Sequence, residues 1–262
     1  MATNPFDQQK DIPGVKKIIV VASGKGGVGK STVSTNLALA LKKYGSVGLL
    51  DADIYGPSIP RMMGALNQKP MINENNQIEP LQRLGIKLMS IGFLVDEASA
   101  IVWRGPMLFK AMDQFFRDVQ WGHLDYLIID LPPGTGDVQL SLVQKVPVHS
   151  AVVVTTPQNV SLIDAKKAID MFERTGVKIA GVVENMSYMI NPANNEKMAL
   201  FPKGEIDSYL KNKNLKKLAE VPFNPNVSLG SEAGIPIIES YPECPESEAF
   251  KQIAQQIVES SV

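Results

Sequence analysis

Eight consecutive residues could do the most specific chemistry in this chain: Gly24-Lys25-Gly26-Gly27-Val28-Gly29-Lys30-Ser31, with Thr32 next. They match the spacing G-x-x-x-x-G-K-[ST] in full. A loop that holds phosphates must aim several backbone N–H groups at one anion. Glycines permit the turn and keep side chains off the phosphate path. Lys30 is the expected contact to the β- and γ-phosphates, and the Ser31 hydroxyl the expected Mg²⁺ ligand. Lys25 adds a second positive charge, placed to neutralise charge as a γ-phosphoryl group leaves.

Carboxylates follow at intervals. Asp51 and Asp53 close an apolar run. Alternate residues of an extended segment point the same way, so both are expected to face one crevice. One would hold a metal-bound water and the other would orient an attacking water. Asp130 ends the run Tyr126-Leu-Ile-Ile-Asp130, a position suited to a metal or to Ser31. Metal ligands are thus expected at Ser31, Asp51 and Asp130. Leu131-Pro-Pro-Gly-Thr-Gly-Asp137 has the glycines that a moving switch loop needs. Asp137 either orients that switch or caps a helix. Asn185 can bond a purine edge through its amide.

These residues need a frame. Ile18 to Ala22 reads as a buried parallel strand, and Val33, Leu37, Ala40 and Leu41 share a helix face after it. That helix is expected over 31–43, stopping near Gly45. Further apolar strands are expected at 47–50, 86–91, 126–129, 151–155 and 179–183, with a last short one within 215–221. Helices are expected from Pro106, around Leu162 to Phe172, over 204–211, and at the end, where Phe250, Ile253, Ala254, Ile257 and Val258 form one side. Residues 56–80 read as loop with a short helix, 187–213 as a polar interruption, and the stretch from 222 to Pro245 as loop-rich. Strands alternating with helices predict a doubly wound, mostly parallel α/β sheet. The organisation expected is a flexible arm over 1–15 and one domain over 16–262.

Composition narrows the partners. The chain has 26 basic and 27 acidic residues, a net charge of −1, so it lacks the basic surplus of a nucleic-acid coat. No apolar run is long enough to span a membrane. The last helix lacks the basic face that anionic lipids favour, and reads as docking on the core. The polar start of the chain lacks a secretory pattern, so a cytoplasmic location is expected. One cysteine, Cys244, cannot supply the thiolates of a sulfur-ligated metal site.

The loop with its two lysines resembles the deviant phosphate loop of the family containing the cell-division ATPase MinD, the plasmid-partition ATPase ParA and the nitrogenase iron protein. The resemblance implies a homodimer across the nucleotide face, Lys25 acting across that interface, and Asp53 orienting the water. It also implies Asn185 on adenine, with Pro222 to Pro225 flanking the base. No guanine-selecting Lys-x-Asp follows the strand at 179–183, which favours ATP.

Four strings narrow the likeness: Asp51-Ala-Asp-Ile-Tyr-Gly-Pro-Ser-Ile-Pro, Trp103-Arg-Gly-Pro-Met107, Asp125 through Asp137, and Val183-Glu-Asn-Met-Ser-Tyr188. Over residues 12–260 the chain is similar to the Mrp/ApbC/Nbp35 branch, scaffold and carrier ATPases for iron–sulfur clusters. That branch carries a Cys-x-x-Cys pair after Asn-Met-Ser-Tyr, one pair from each subunit holding a [4Fe–4S] cluster. Asn191 and Asn194 stand at those positions here. The expectation is a Mg²⁺-dependent, ATP-hydrolysing homodimeric switch, slow without a partner, with cluster ligation lost or altered and an unnamed protein client. Tyr188 and Met189 are expected at the dimer or client face. The alternatives are a MinD/ParA-like ATPase that recruits a partner, and cluster transfer with partner-supplied ligands.

Overall fold

A computed structural model describes residues 9–54, 56–93 and 105–260, with backbone alone for 105–110 and 137. Trp103 and Arg104 lie outside the described residues, as do residues 1–8 of the expected arm. The rest of that arm is held. Gln9 Nε2 donates to Val143 O, Lys10 N to Lys145 O, and Ile12 is buried.

The first half of the chain runs β1 (Val15–Ala22), α1 (Lys30–Leu41), β2 (Val47–Asp51), α2 (Ile59–Met62), β3 (Met71–Ile72), β4 (Ile78–Glu79), β5 (Leu81–Arg83), β6 (Ile86–Ser90), α3 (Gly105–Arg117) and β7 (Leu124–Asp130). The second runs α4 (Asp137–Lys145), β8 (Ser150–Thr155), α5 (Asn159–Arg174), β9 (Ile179–Glu184), β10 (Met189–Ile190), β11 (Lys197–Met198), α6 (Ile206–Lys213), β12 (Lys217–Glu220), α7 (Pro225–Ala233), α8 (Ile237–Ser240) and α9 (Pro245–Glu259).

The main sheet has the order β12-β9-β8-β1-β7-β2-β6-β5, parallel except for the antiparallel edge strand β5. Right-handed crossovers fix the layers. The β1-to-β2 connection runs one way across the sheet, which puts α1 on one face. The connections through α3, α4 and α5 run the other way, and those helices cover the opposite face. Such reversal opens a crevice beyond the carboxyl ends of the central strands.

Burial explains why β1, β2, β7 and β8 read as apolar runs. Ile19, Val21, Leu49, Leu50, Leu127, Ile128, Val152 and Val153 are all but fully covered from both faces. Helix α1 is more deeply buried than its apolar stripe implied. It lies between the sheet and α8 and α9, so that Ser34, Thr35 and Asn36 are also covered. Phe250, Ile253 and Ile257 of α9 close this layer, each contributing about 1.5–3 kcal/mol by leaving water.

Several elements were not foreseen. Residues 71–79 form the β3–β4 hairpin, 189–198 the β10–β11 hairpin, and the stretch read as loop after 222 holds α7 and α8. Two-residue strands carry no periodicity to read. Helix α7 buries none of its side chains, so it shows no apolar stripe.

One carboxylate ties the sheet together at the end away from the crevice. Asp125 accepts hydrogen bonds from Ser46 N, Ser46 Oγ and Lys16 Nζ, each at 2.8 Å. The Lys16 bond, followed by those from Ser46, holds its pKa well below the usual carboxylate range. Asp125→Ala is therefore expected to cost about 1–2 kcal/mol in urea unfolding at neutral pH. A depressed folded pKa contributes stability above the unfolded value of about 3.9, lost as pH falls through the folded one. The gap between variant and wild type should stay flat down to about pH 5 and close in stronger acid. A gap unchanged in strong acid would mean that the carboxylate charge is not what holds the site.

Candidate nucleotide site

Every group singled out as chemical lies at the carboxyl edge of the sheet. The phosphate loop leaves β1 and enters α1 through Gly29, whose φ of +82° is left-handed. A Cβ at Gly29 would sit 2.1 Å from Asn185 Nδ2, so conformation and space both require glycine. Asn185 Nδ2 donates to Val28 O at 2.9 Å, binding the end of β9 to the loop. A Cβ at Gly26 or Gly27 would meet nothing within 4 Å, so the inner side of the loop is open to an anion. A Cβ at Gly24 would lie 2.0 Å from Asp164 O, so α5 packs directly on the loop.

Asp130 organises the polar centre. Its Oδ2 accepts from Lys30 Nζ at 2.8 Å and from Ser31 Oγ at 2.6 Å, and its Oδ1 from Ser34 Oγ at 2.6 Å. Lys30 Nζ also lies 3.5 Å from Asp53 Oδ2. Burial works against the Lys30 charge, but Asp130 and Asp53 outweigh it, and its pKa rises above the ordinary value. The ammonium that is to meet phosphate is thus held charged.

The two aspartates after β2 part company. Asp53 faces Lys30. Asp51 is fully buried, within electrostatic reach of Lys30 and Asp130. Its Oδ1 accepts from Asp53 N at 3.1 Å, and its Oδ2 from Ile59 N at 3.2 Å and Ser90 Oγ at 3.0 Å. The chain turns immediately after β2, so the alternation of an extended segment does not apply. In this structure its oxygens hold the 51–59 loop. Asp51 pairs in register with Asp130 on β7. Burial first, then the Asp130 charge, pushes its pKa up to about 7.

A cleft of about 480 Å³ opens over these groups, a size suited to a nucleotide. Lys25, Lys30, Ser31, Thr32 and Asp53 line it, together with Asn185, Pro222 and Phe223. Pro133 of the 131–137 loop also borders it. The Asp137 side chain is not among those described. The donors fit magnesium: a serine hydroxyl and a carboxylate are hard oxygen ligands, and Asp130 already draws a cation.

Three residues escaped the sequence reading. Ser34 fixes Asp130 from one turn beyond Ser31, a helical spacing that was there to be seen. Ser90 holds Asp51 from its register position on β6, which needs the strand order. Gln139 on α4 donates through Nε2 to Pro132 O, and no motif marks it.

Comparison with known proteins matches this geometry. The family model described as NUBPL iron-transfer P-loop NTPase covers residues 14–258. The chain belongs to this family. It is 48% identical to an iron-sulfur cluster carrier protein of Aquifex aeolicus, across 98% of this chain and 72% of that protein. It is 46% identical to the mouse iron-sulfur cluster transfer protein NUBPL, across 96% and 79%. A nucleotide-binding protein of Archaeoglobus fulgidus, solved with ADP, superposes with a TM-score of 0.76 at 38% identity, over 88% of this chain and 91% of that one. Pyrococcus furiosus MinD, at 22% identity and a TM-score of 0.68, shares the fold.

As a member of this iron–sulfur carrier family, the chain is an ATP-binding and ATP-hydrolysing P-loop protein. Its cluster ligation is altered. Asn191 and Asn194 lie in the turn of the β10–β11 hairpin. Asn191 Oδ1 accepts from Ala193 N at 2.9 Å, and Asn194 Oδ1 from Glu196 N at 3.1 Å. Asn194 Nδ2 donates to Glu196 at 2.8 Å. Both carboxamides are engaged in shaping the turn. Cys244 is the N-cap of α9, half-buried against Ser247, with its thiol pKa pushed up by burial.

One group of carboxylates, Glu184, Asp207 and Glu220, is close enough to hold a metal. Lys217 Nζ already bridges all three, at 2.7, 2.5 and 2.9 Å. No helix among the described residues is long and apolar enough to cross a membrane.

Proposed function

We propose that this chain is a homodimeric Mg²⁺-ATP switch that carries no cluster on its own side chains and acts on a protein client. The observation that carries this is the hairpin turn in which Asn191 and Asn194 accept from the backbone N–H groups of Ala193 and Glu196. Amides are poor ligands for iron in a sulfide cluster, which takes thiolates.

In the reaction, the phosphate loop and Lys30 place the triphosphate, and Asp53 orients the water that attacks the γ-phosphate. Ser31 and Asp130 would hold magnesium, which would supply charge neutralisation at the phosphate oxygens. Asn185 and Pro222 take the adenine. Lys25 acts in the facing subunit's site. Val160 and Ile163, at 67% and 56% exposure on the first turns of α5 beside Gly24, support a dimer on this face.

A second reading, a recruiting ATPase of the MinD/ParA kind, draws on the same hairpin. Tyr188 O accepts from Phe223 N at 2.7 Å, and Ser187 N donates to Val221 O at 2.9 Å. These bonds join the hairpin to the base end of the cleft, where a partner could read nucleotide occupancy.

Anaerobic reconstitution with ferrous iron and sulfide tests the first reading. The protein is expected to leave gel filtration without iron and without a visible sulfide-to-iron absorbance band. Iron retained in proportion to protein would support cluster transfer with other ligands. Pull-downs in ATP, comparing wild type with Asp53→Ala, should show one client retained longer by the variant.

A further inference from the structure

The 131–136 loop is held by a residue that the chemistry above does not use. Gln139 is 1% exposed, at the first turn of α4. Its Nε2 donates to Pro132 O, while its Oε1 is buried without a donor. An unsatisfied buried acceptor is costly, and a side chain kept in that condition calls for an explanation.

The loop has the means to supply a partner. Pro132 and Pro133 carry no N–H and Leu131 N donates to Val21 O, so the peptide donors that remain are at Gly134, Thr135 and Gly136. Gly134 N donates to Ser23 O at 3.0 Å, and Ser23 Oγ donates to Lys25 O at 2.8 Å. The loop is thereby tied to the backbone of the phosphate loop. Gly134 has a φ of +99°, and a Cβ there would meet nothing within 4 Å. Pro133 borders the nucleotide cleft, while Thr135 borders a second cavity of about 440 Å³ between α4 and α5. The loop is a wall between two spaces, with room on either side.

We propose that Gln139 is a positioning residue for hydrolysis. In the present state it holds Pro132 O. With ATP bound, its Oε1 accepts a hydrogen bond from a peptide N–H of residues 134–136. One carboxamide thus fixes the loop in two arrangements, first by donating and then by also accepting. The inference rests on the reading of this loop as the one that faces the γ-phosphate.

The test compares wild type with Gln139→Met, which keeps the bulk and removes both polar atoms. In the variant, kcat for ATP is expected to fall on the order of 10- to 100-fold, the scale of a displaced catalytic geometry. KM for ATP and Kd for ADP should stay within about twofold, because neither depends on the closed loop. Amide exchange of residues 134–136 should slow with a non-hydrolysable ATP analogue relative to ADP in wild type, and not in the variant.

A merely structural role would instead move both nucleotide affinities and the melting temperature together, which overturns the proposal. So does an unchanged kcat in a folded Gln139→Met. If that variant does not fold, the wild-type exchange comparison decides alone: no ATP-specific slowing at 134–136 refutes the latch. Failure of the wild type to bind ADP or ATP would remove the site reading itself, a result separable from intact binding without an effect of Gln139.

Discussion

Lys30→Met is expected to abolish useful turnover and, at the same time, to unsettle the protein without nucleotide. Hydrogen bonds to a charged group contribute about 1.5–3 kcal/mol, so ATP affinity should drop by roughly 10- to 100-fold. Stability falls for a different reason. Lys30 is 6% exposed and its partner Asp130 is fully buried. Removing one member of a buried pair costs about 3–5 kcal/mol, because the other charge is left uncompensated. Asp53 loses the same cation, at 3.5 Å. Asp51, already pushed up to about 7, loses the influence of Lys30 that lowered it.

The sign with pH follows. A carboxyl whose folded pKa is raised destabilises fully above that pKa, and the penalty lifts as pH falls from there toward the unfolded value. In metal-free buffer, the stability gap between Lys30→Met and wild type should narrow from about pH 8 to about pH 6. Thermal or urea unfolding at both pH values, with titration calorimetry for ATP, checks the pair of effects. A variant as stable as wild type at the upper pH would mean that the Asp130–Lys30 contact is not the compensating one.

Asp53→Ala should separate binding from chemistry. A residue that orients or deprotonates the attacking water accounts for on the order of 10²–10⁴ in rate. Hydrolysis should fall by that factor while ATP affinity stays the same or tightens, since a carboxylate facing the triphosphate is gone. Single-turnover hydrolysis alongside equilibrium binding measures both. A parallel fall in affinity and melting temperature would assign Asp53 to loop structure instead, the part that Asp51 plays through its bonds to Asp53 N, Ile59 N and Ser90 Oγ.

Those two aspartates show how far the sequence could be read. The parallel sheet and the phosphate loop were legible because each rests on local signals: apolar runs for buried strands, glycine spacing for the loop, and an aspartate at the end of β7. The bonds of Asp51 were not legible because they depend on a turn and on Ser90, 39 residues on and adjacent only once β6 pairs with β2. Helix α7 was missed because none of its side chains is buried, although Asn224 caps it by accepting from Asn226 N. Gln139 was invisible for the opposite reason: its significance lies in one contact with a loop carbonyl. Helical spacing, by contrast, would have revealed Ser34 had the turn after Ser31 been inspected.

The bonds between Tyr188 and Phe223 and between Ser187 and Val221 anchor the asparagine hairpin beside Pro222 and Phe223, where the proposed function seats the purine. The purine is chemically the same in the diphosphate and the triphosphate. On the proposed reading, a client docked on the hairpin would sense whether the seat is taken, while the proline–glycine loop would sense whether the third phosphate is still attached. The molecule would then offer two separate signals, occupancy and age, one at the hairpin and one at the proline–glycine loop.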